Sequence, residues 1–196
     1  MIFLFQDGQF GRTLLGGGGG GGSSTVVYSG STAFIATDLI GISLSVTEFA
    51  PGLGTLTAAE LILYGDLRSN ITLVLGNAPT SQNVRGTALS DFSVVSSVAS
   101  INSLLALTDP DIATSATTGF AMQSPNTTVS HNGVVGAGTL VLDLASLLGD
   151  VTGSGTFSVT VETSTFLSTS GGAGFLTASS SNVAKFGYKI TYTYTP

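Results

Sequence analysis

Cysteine and tryptophan are both absent from the 196-residue chain. Without cysteine there is no disulfide framework, no thiolate zinc site and no cysteine nucleophile. An extracellular location stays open, because a chain with a large enough core manages without disulfides. Basic residues are scarce, five Lys and Arg against eleven Asp and Glu, for a net charge of -6. A nucleic-acid interface replaces phosphate counterions with clustered Lys and Arg, which five scattered cations do not supply. An anionic membrane surface is excluded on the same ground. No apolar run approaches the ~18–20 residues of a membrane span. Met1-Ile2-Phe3-Leu4-Phe5 is too short for a signal-peptide core and has no basic flank, so either export uses a leader already removed or the chain is not exported.

Charged residues make up 8% of the chain and apolar residues 42%. A disordered polypeptide shows the opposite balance, so the bulk of this one folds. What fills the sequence instead is 27 Gly and 53 Ser plus Thr. Residues of this kind, with many Val, suit strands and turns better than helix surfaces. Residues 1–22 read as an apolar arm with a glycine hinge, and 23–196 as one domain. The arm carries Ile2, Phe3, Leu4, Phe5, Phe10, Leu14 and Leu15, followed by seven consecutive glycines from Gly16 through Gly19 to Gly22. A glycine run loses too much backbone entropy to hold a regular element, so it is a tether. It has neither the Lys-Ser/Thr nor the strand context of a phosphate-binding loop.

The rest alternates with period two. Ile40, Ile42, Leu44 and Val46 share a face, as do Phe157, Val159 and Val161, and Phe186, Tyr188, Ile190, Tyr192 and Tyr194. Strands are expected at 25–28, 32–36, 40–49, 56–67, 69–75, 88–98, 101–107, 127–130, 138–142, 155–163 and 185–195, with 175–178 as a short further candidate. The Gly65-Asp66 and Gly76-Asn77 pairs read as breaks. Asp143 to Gly149 reads as one short helix, with Asp143 capping its start and Gly149 taking a left-handed exit. Many short strands with regular turn signals predict an all-β antiparallel sandwich, with a jelly roll as the nearest alternative.

Two stretches carry a family resemblance. Thr47-Glu48-Phe49-Ala50-Pro51-Gly52-Leu53-Gly54-Thr55-Leu56-Thr57 resembles the F-D-P-x-L-G-T-L hallmark of the choice-of-anchor E domain. Lys189-Ile190-Thr191-Tyr192-Thr193-Tyr194-Thr195-Pro196 is similar to that family's closing strand, and Asp143 to Gly155 sits where the family has a short helix before a strand. The resemblance implies a secreted bacterial surface domain with no catalytic residues to carry over. Residue 50 is Ala where the family usually has Asp. The ending at Pro196, without an anchor segment, suggests a processed, released or polymerised form.

Few residues offer chemistry. His131, the single histidine, is the one base available to a serine triad, and its Ser-His-Asn-Gly setting reads as a solvated turn. Asp109-Pro110-Asp111, with Thr108, offers oxygen ligands of the kind calcium takes; an ordinary Asp-Pro-Asp turn is the simpler reading. No other cofactor or metal is expected. Tyr192 and Tyr194 read as one core face, or alternatively as a sugar-stacking platform. Asn70-Ile71-Thr72 and Asn126-Thr127-Thr128 match the glycosylation acceptor pattern, which arises by chance in Thr-rich chains.

The expectation is therefore a non-enzymatic, extracellular structural subunit. Its arm is donated to a neighbouring copy, building a head-to-tail surface filament or biofilm-matrix fibre. The alternatives are a monomeric cell-surface adhesion module binding glycans, and a viral capsid or appendage protein.

Overall fold

The computed structural model describes residues 13–15, 22–38, 40–108 and 111–196. It is a two-sheet antiparallel β-sandwich, as the alternation predicts. In chain order the strands are β1 (Thr13–Leu15), β2 (Ser24–Ser31), β3 (Ile35–Ala36), β4 (Ile42–Thr47), β5 (Thr55–Leu75) and β6 (Gln82–Ser96). After the helix α1 (Ala99–Thr108) come β7 (Asp111–Thr117), β8 (Ala121–Gln123), β9 (Thr127–Asp143), β10 (Thr156–Gly171) and β11 (Leu176–Thr195). The first sheet runs β1-β2-β11-β5-β9, with β3 also on β11; the second runs β4-β10-β6-β7, with β8 also on β6.

Several strands are longer than their sequence punctuation suggests. β5 runs 21 residues straight through Gly65-Asp66. Gly65 serves a close approach here: a Cβ at that position would meet the buried Phe92 ring at 2.8 Å. β9 joins the 127–130 and 138–142 segments into one strand that includes His131. Ile40 stands outside β4 and is 82% exposed, while Leu44 and Val46 are buried as expected.

The largest departure is α1, where a strand was expected over 101–107. Ile101 and Leu105 are its buried residues, one helical turn apart. The Asn102 side chain fixes the helix to β6, accepting from the Ser96 N–H at 2.6 Å and donating to the Ser96 carbonyl at 2.8 Å. At 143–149 the helix forms as a 3-10 segment over Ala145–Val151. Asp143 is not its cap as expected: the N-cap is Leu144 with no side-chain cap bond, and Asp143 Oδ1 instead accepts from the Ala145 N–H at 2.9 Å in a turn just before the segment. Gly149 lies inside the segment instead of ending it.

Phe186, Tyr188, Ile190, Tyr192 and Tyr194 form the inner face of β11 and are all buried in the main core. A smaller cluster, centred on Leu67, Ile71, Leu73, Val84, Ala88 and Ala116, fills the other end. Two tyrosines cross the core with their hydroxyls still satisfied. Tyr188 donates to the Ser45 carbonyl at 2.7 Å and Tyr192 to the Thr47 carbonyl at 2.9 Å, both on β4.

Burial raises the pKa of Tyr188, and burial together with the nearby Glu48 carboxylate raises that of Tyr192 further. The unfolded chain loses these protons near pH 10 while the folded chain keeps them. Their contribution is therefore complete below about pH 10 and is lost as pH climbs through the raised folded values. The denaturation midpoint should fall from about pH 10 upward. The Tyr188→Phe/Tyr192→Phe variant should show a flatter alkaline dependence. At neutral pH it should be less stable by about 1–3 kcal/mol for each orphaned carbonyl.

Candidate functional site

A β-sandwich presents its sheet edges as ready-made templates for added strands, and proteins that stay monomeric blunt them. The edges here are treated differently from one another. β7 and β9, the two outer strands on one side, pack against each other across the sheets. Gly136 and Gly138 permit that approach, since a Cβ at Gly136 would lie 2.2 Å from the Ser115 carbonyl oxygen, and one at Gly138 2.5 Å from that of Ala113. On the other side, β4 borders the second sheet, and its Ser45 and Thr47 carbonyls are occupied by the Tyr188 and Tyr192 hydroxyls.

The remaining edge is β2, and a piece of the N-terminal arm covers it. Thr13, Leu14 and Leu15 pair antiparallel with Val27, Val26 and Thr25 of the same chain. Behind β2 stands β11, paired with it from Gly187↔Ser31 to Tyr194↔Ser24. Val26 is fully buried, so this acceptor strand is part of the core. The connection from β1 back to β2 is the seven-glycine run, whose last residue, Gly22, is exposed. Of the arm residues singled out by sequence, Leu14 and Leu15 are thus placed by their backbone on β2. Ile2, Phe3, Leu4, Phe5 and Phe10, with hinge residues Gly16 and Gly19, lie outside the described residues.

The other sequence candidates are dispersed. His131 belongs to β9, paired with Ile71. Its Nε2 is buried without a hydrogen-bond partner, unlike the solvated turn histidine expected from sequence. Tyr192 and Tyr194 are buried, with Phe49 ring centroids 5.7 Å and 5.3 Å away, which rules out a sugar-stacking platform. Asp109 lies outside the described residues. Asp111 opens β7 in a shallow dip with Asp91 and Glu162. Among the described residues no group of three or more His, Cys, Asp or Glu is placed to hold a metal ion. No helix among the described residues is long and apolar enough to cross a membrane.

The sequence reading missed the outer face of the first sheet. There β5 presents Tyr64, Asp66 and Arg68 at alternate positions, flanked by Lys185 of β11 and by Val135 and Ala137 of β9. The signal lay in the period-two spacing of three polar-tipped residues. The neighbouring strands that complete the group emerge only from the register.

No family model matches the chain, and no curated protein matches it. Among solved structures, a chain of infectious bursal disease virus, Gt strain, shares 11% identity at a TM-score of 0.20. That match covers 87% of this chain but only 42% of the viral one. The Gx strain gives 8% identity and a TM-score of 0.18, covering 89% and 42%. A chain of Mud crab tombus-like virus gives 10% identity and a TM-score of 0.14, covering 100% and 94%. Likenesses at this level carry no argument about the chain.

Proposed function

We propose that the chain is a non-enzymatic structural subunit that assembles with copies of itself by exchanging its N-terminal arm, forming filaments or fibres at a cell surface or in an extracellular matrix. The supporting observation is the pairing of Thr13–Leu15 with β2 across a run of seven glycines. A strand joined to its domain by a glycine run makes the same main-chain hydrogen bonds on its own domain or on an identical neighbour. The glycine run reaches at most roughly 23 Å when extended, which bounds how far a neighbouring acceptor edge lies from Ser23.

Among the described residues, cis pairing engages Thr13, Leu14 and Leu15, and the arm's sequence also carries Ile2, Phe3, Leu4 and Phe5. Burying such side chains is worth about 1.5–3 kcal/mol each before ordering costs, a gain available when the whole arm docks on a partner. The contact is head-to-tail, and head-to-tail contacts that do not close give filaments. The resemblance to the choice-of-anchor E domain, carried by the 47–57 segment and the closing strand, favours secretion and a surface location.

The test is electron microscopy and size-exclusion chromatography with light scattering, comparing the full chain with one lacking residues 1–22. The full chain should form filaments in a concentration-dependent way and the truncated chain should be monomeric. Assembly that survives the deletion contradicts the reading. A full chain that stays monomeric favours a cell-surface binding module, and closed shells favour a capsid or appendage subunit.

A further inference from the structure

The outer face of the first sheet concentrates charge and aromatic surface in a chain that has little of either. Arg68 lies with its guanidinium carbon 4.0 Å above the centroid of the Phe34 ring. The Lys185 ammonium sits 5.9 Å from the centroid of the Tyr64 ring. Tyr64 lies across Gly187, where a Cβ would meet its ring at 2.3 Å, so the strand register itself seats that ring. Lys185 is the cross-strand partner of Asp66, and Arg68 that of Val135. Phe34, Asp66, Arg68, Val135, Ala137 and Lys185 together line an open cleft of about 360 Å³.

A guanidinium stacked on a ring keeps its edge donors pointing outward in a planar fork, which matches a carboxylate. Among the described residues, the side chains of Arg68 and Lys185 engage the Phe34 and Tyr64 rings, and no side-chain hydrogen bond ties either of them or Asp66 to a neighbour. Two cations against one carboxylate leave the cleft with a single net positive charge, set in a chain of net charge -6. That balance suits a ligand with one negative charge. A phosphate dianion or a densely sulfated polymer meets both Asp66 and the field of the whole chain. Asp66 is an acceptor for hydroxyl donors, and Val135, which is 66% exposed, offers an apolar surface for C–H groups.

We infer that this cleft binds a carboxylate-bearing saccharide, a uronic acid residue, with Arg68 and Lys185 on the carboxylate, Asp66 on ring hydroxyls and Val135 against the apolar sugar face. The site is independent of arm exchange, because it involves neither β1 nor β2. It would give a fibre-forming subunit a hold on acidic surface polysaccharide.

The experiment is titration of the full-length ¹⁵N-labelled chain with D-glucuronate, D-glucose or inorganic phosphate, followed by NMR. Glucuronate should shift Asp66, Arg68 and Lys185 saturably, with a dissociation constant of about 1–10 mM. Glucose and phosphate should bind at least about tenfold more weakly. Arg68→Gln should weaken glucuronate by about tenfold with the rest of the spectrum unchanged, a loss expected of one charge-assisted contact. Asp66→Asn should weaken glucuronate while strengthening phosphate. No saturable shift by about 50 mM glucuronate, equal binding of phosphate, or glucuronate binding indifferent to Arg68→Gln overturns the proposal.

Discussion

Alanine in place of Phe49 is expected to lower the unfolding free energy by about 3–5 kcal/mol, the usual cost of truncating a fully buried phenylalanine. Phe49 has no exposed surface. Its ring packs against Tyr192 and Tyr194, while its backbone donates to the Val151 carbonyl and accepts from the Gly153 N–H, both at 2.9 Å. The residue thus joins three separate stretches, its backbone tying the segment after β4 to the 3-10 segment before β10 and its ring packing on the end of β11. Removing it opens a cavity where all three meet. Urea unfolding followed by circular dichroism measures the loss, and a change below about 1 kcal/mol means the site refills by collapse and the packing argument is wrong.

Valine at Gly136 should destabilise by about 3 kcal/mol, the upper end of ordinary overpacking. The new Cβ meets a backbone oxygen, Ser115 O at 2.2 Å, and a backbone atom moves only if β7 moves with it. The seam between β7 and β9 is where the two sheets close on that side of the sandwich. Thr139→Val serves as the control. Thr139 lies on the exposed face of the same strand, so its effect should stay within about 0.5 kcal/mol. Equal effects of the two substitutions would mean that strand propensity, and not the closeness of the seam, sets the stability of β9.

The legible part of the fold was the part written in period two. The alternating aromatics of 186–194, the Leu44–Val46 pair and the Phe157–Val161 run all face the core. The 47–57 motif and the closing strand were read as separate stretches, and they meet in space. Gly54 adopts φ 137° directly against Thr195 and Pro196, where a side chain would strike the backbone. Glycine was the main source of error. Gly65 reads as punctuation, but it sits inside β5 where the Phe92 ring comes too close for a Cβ, just as Gly136 and Gly138 sit inside β9 where the backbone of β7 does. α1 is not legible in the sequence because Ile101 and Leu105, one helical turn apart, are embedded in an apolar run that also suits a strand.

The candidate sites divide the same way. An apolar arm and its glycine hinge are visible in the sequence because they are local. The acceptor edge is not, because its identity depends on which edges Tyr188, Tyr192 and the β7–β9 seam have already closed. The saccharide cleft brings Phe34, Arg68 and Lys185 together from distant parts of the chain, and only strand register does that.

The most direct test of arm exchange is covalent capture of the strand pair, for which a cysteine-free chain is well suited. Leu15 and Thr25 are register partners, so cysteines at the two positions face each other whether β1 binds its own domain or a neighbour's. Leu15→Cys and Thr25→Cys are made as two separate chains, mixed, assembled and oxidised. Arm exchange predicts a disulfide-linked pair containing one of each chain, and a covalent ladder when both cysteines are placed in a single chain. A mixture that stays monomeric, with the double variant closing only on itself, would contradict it.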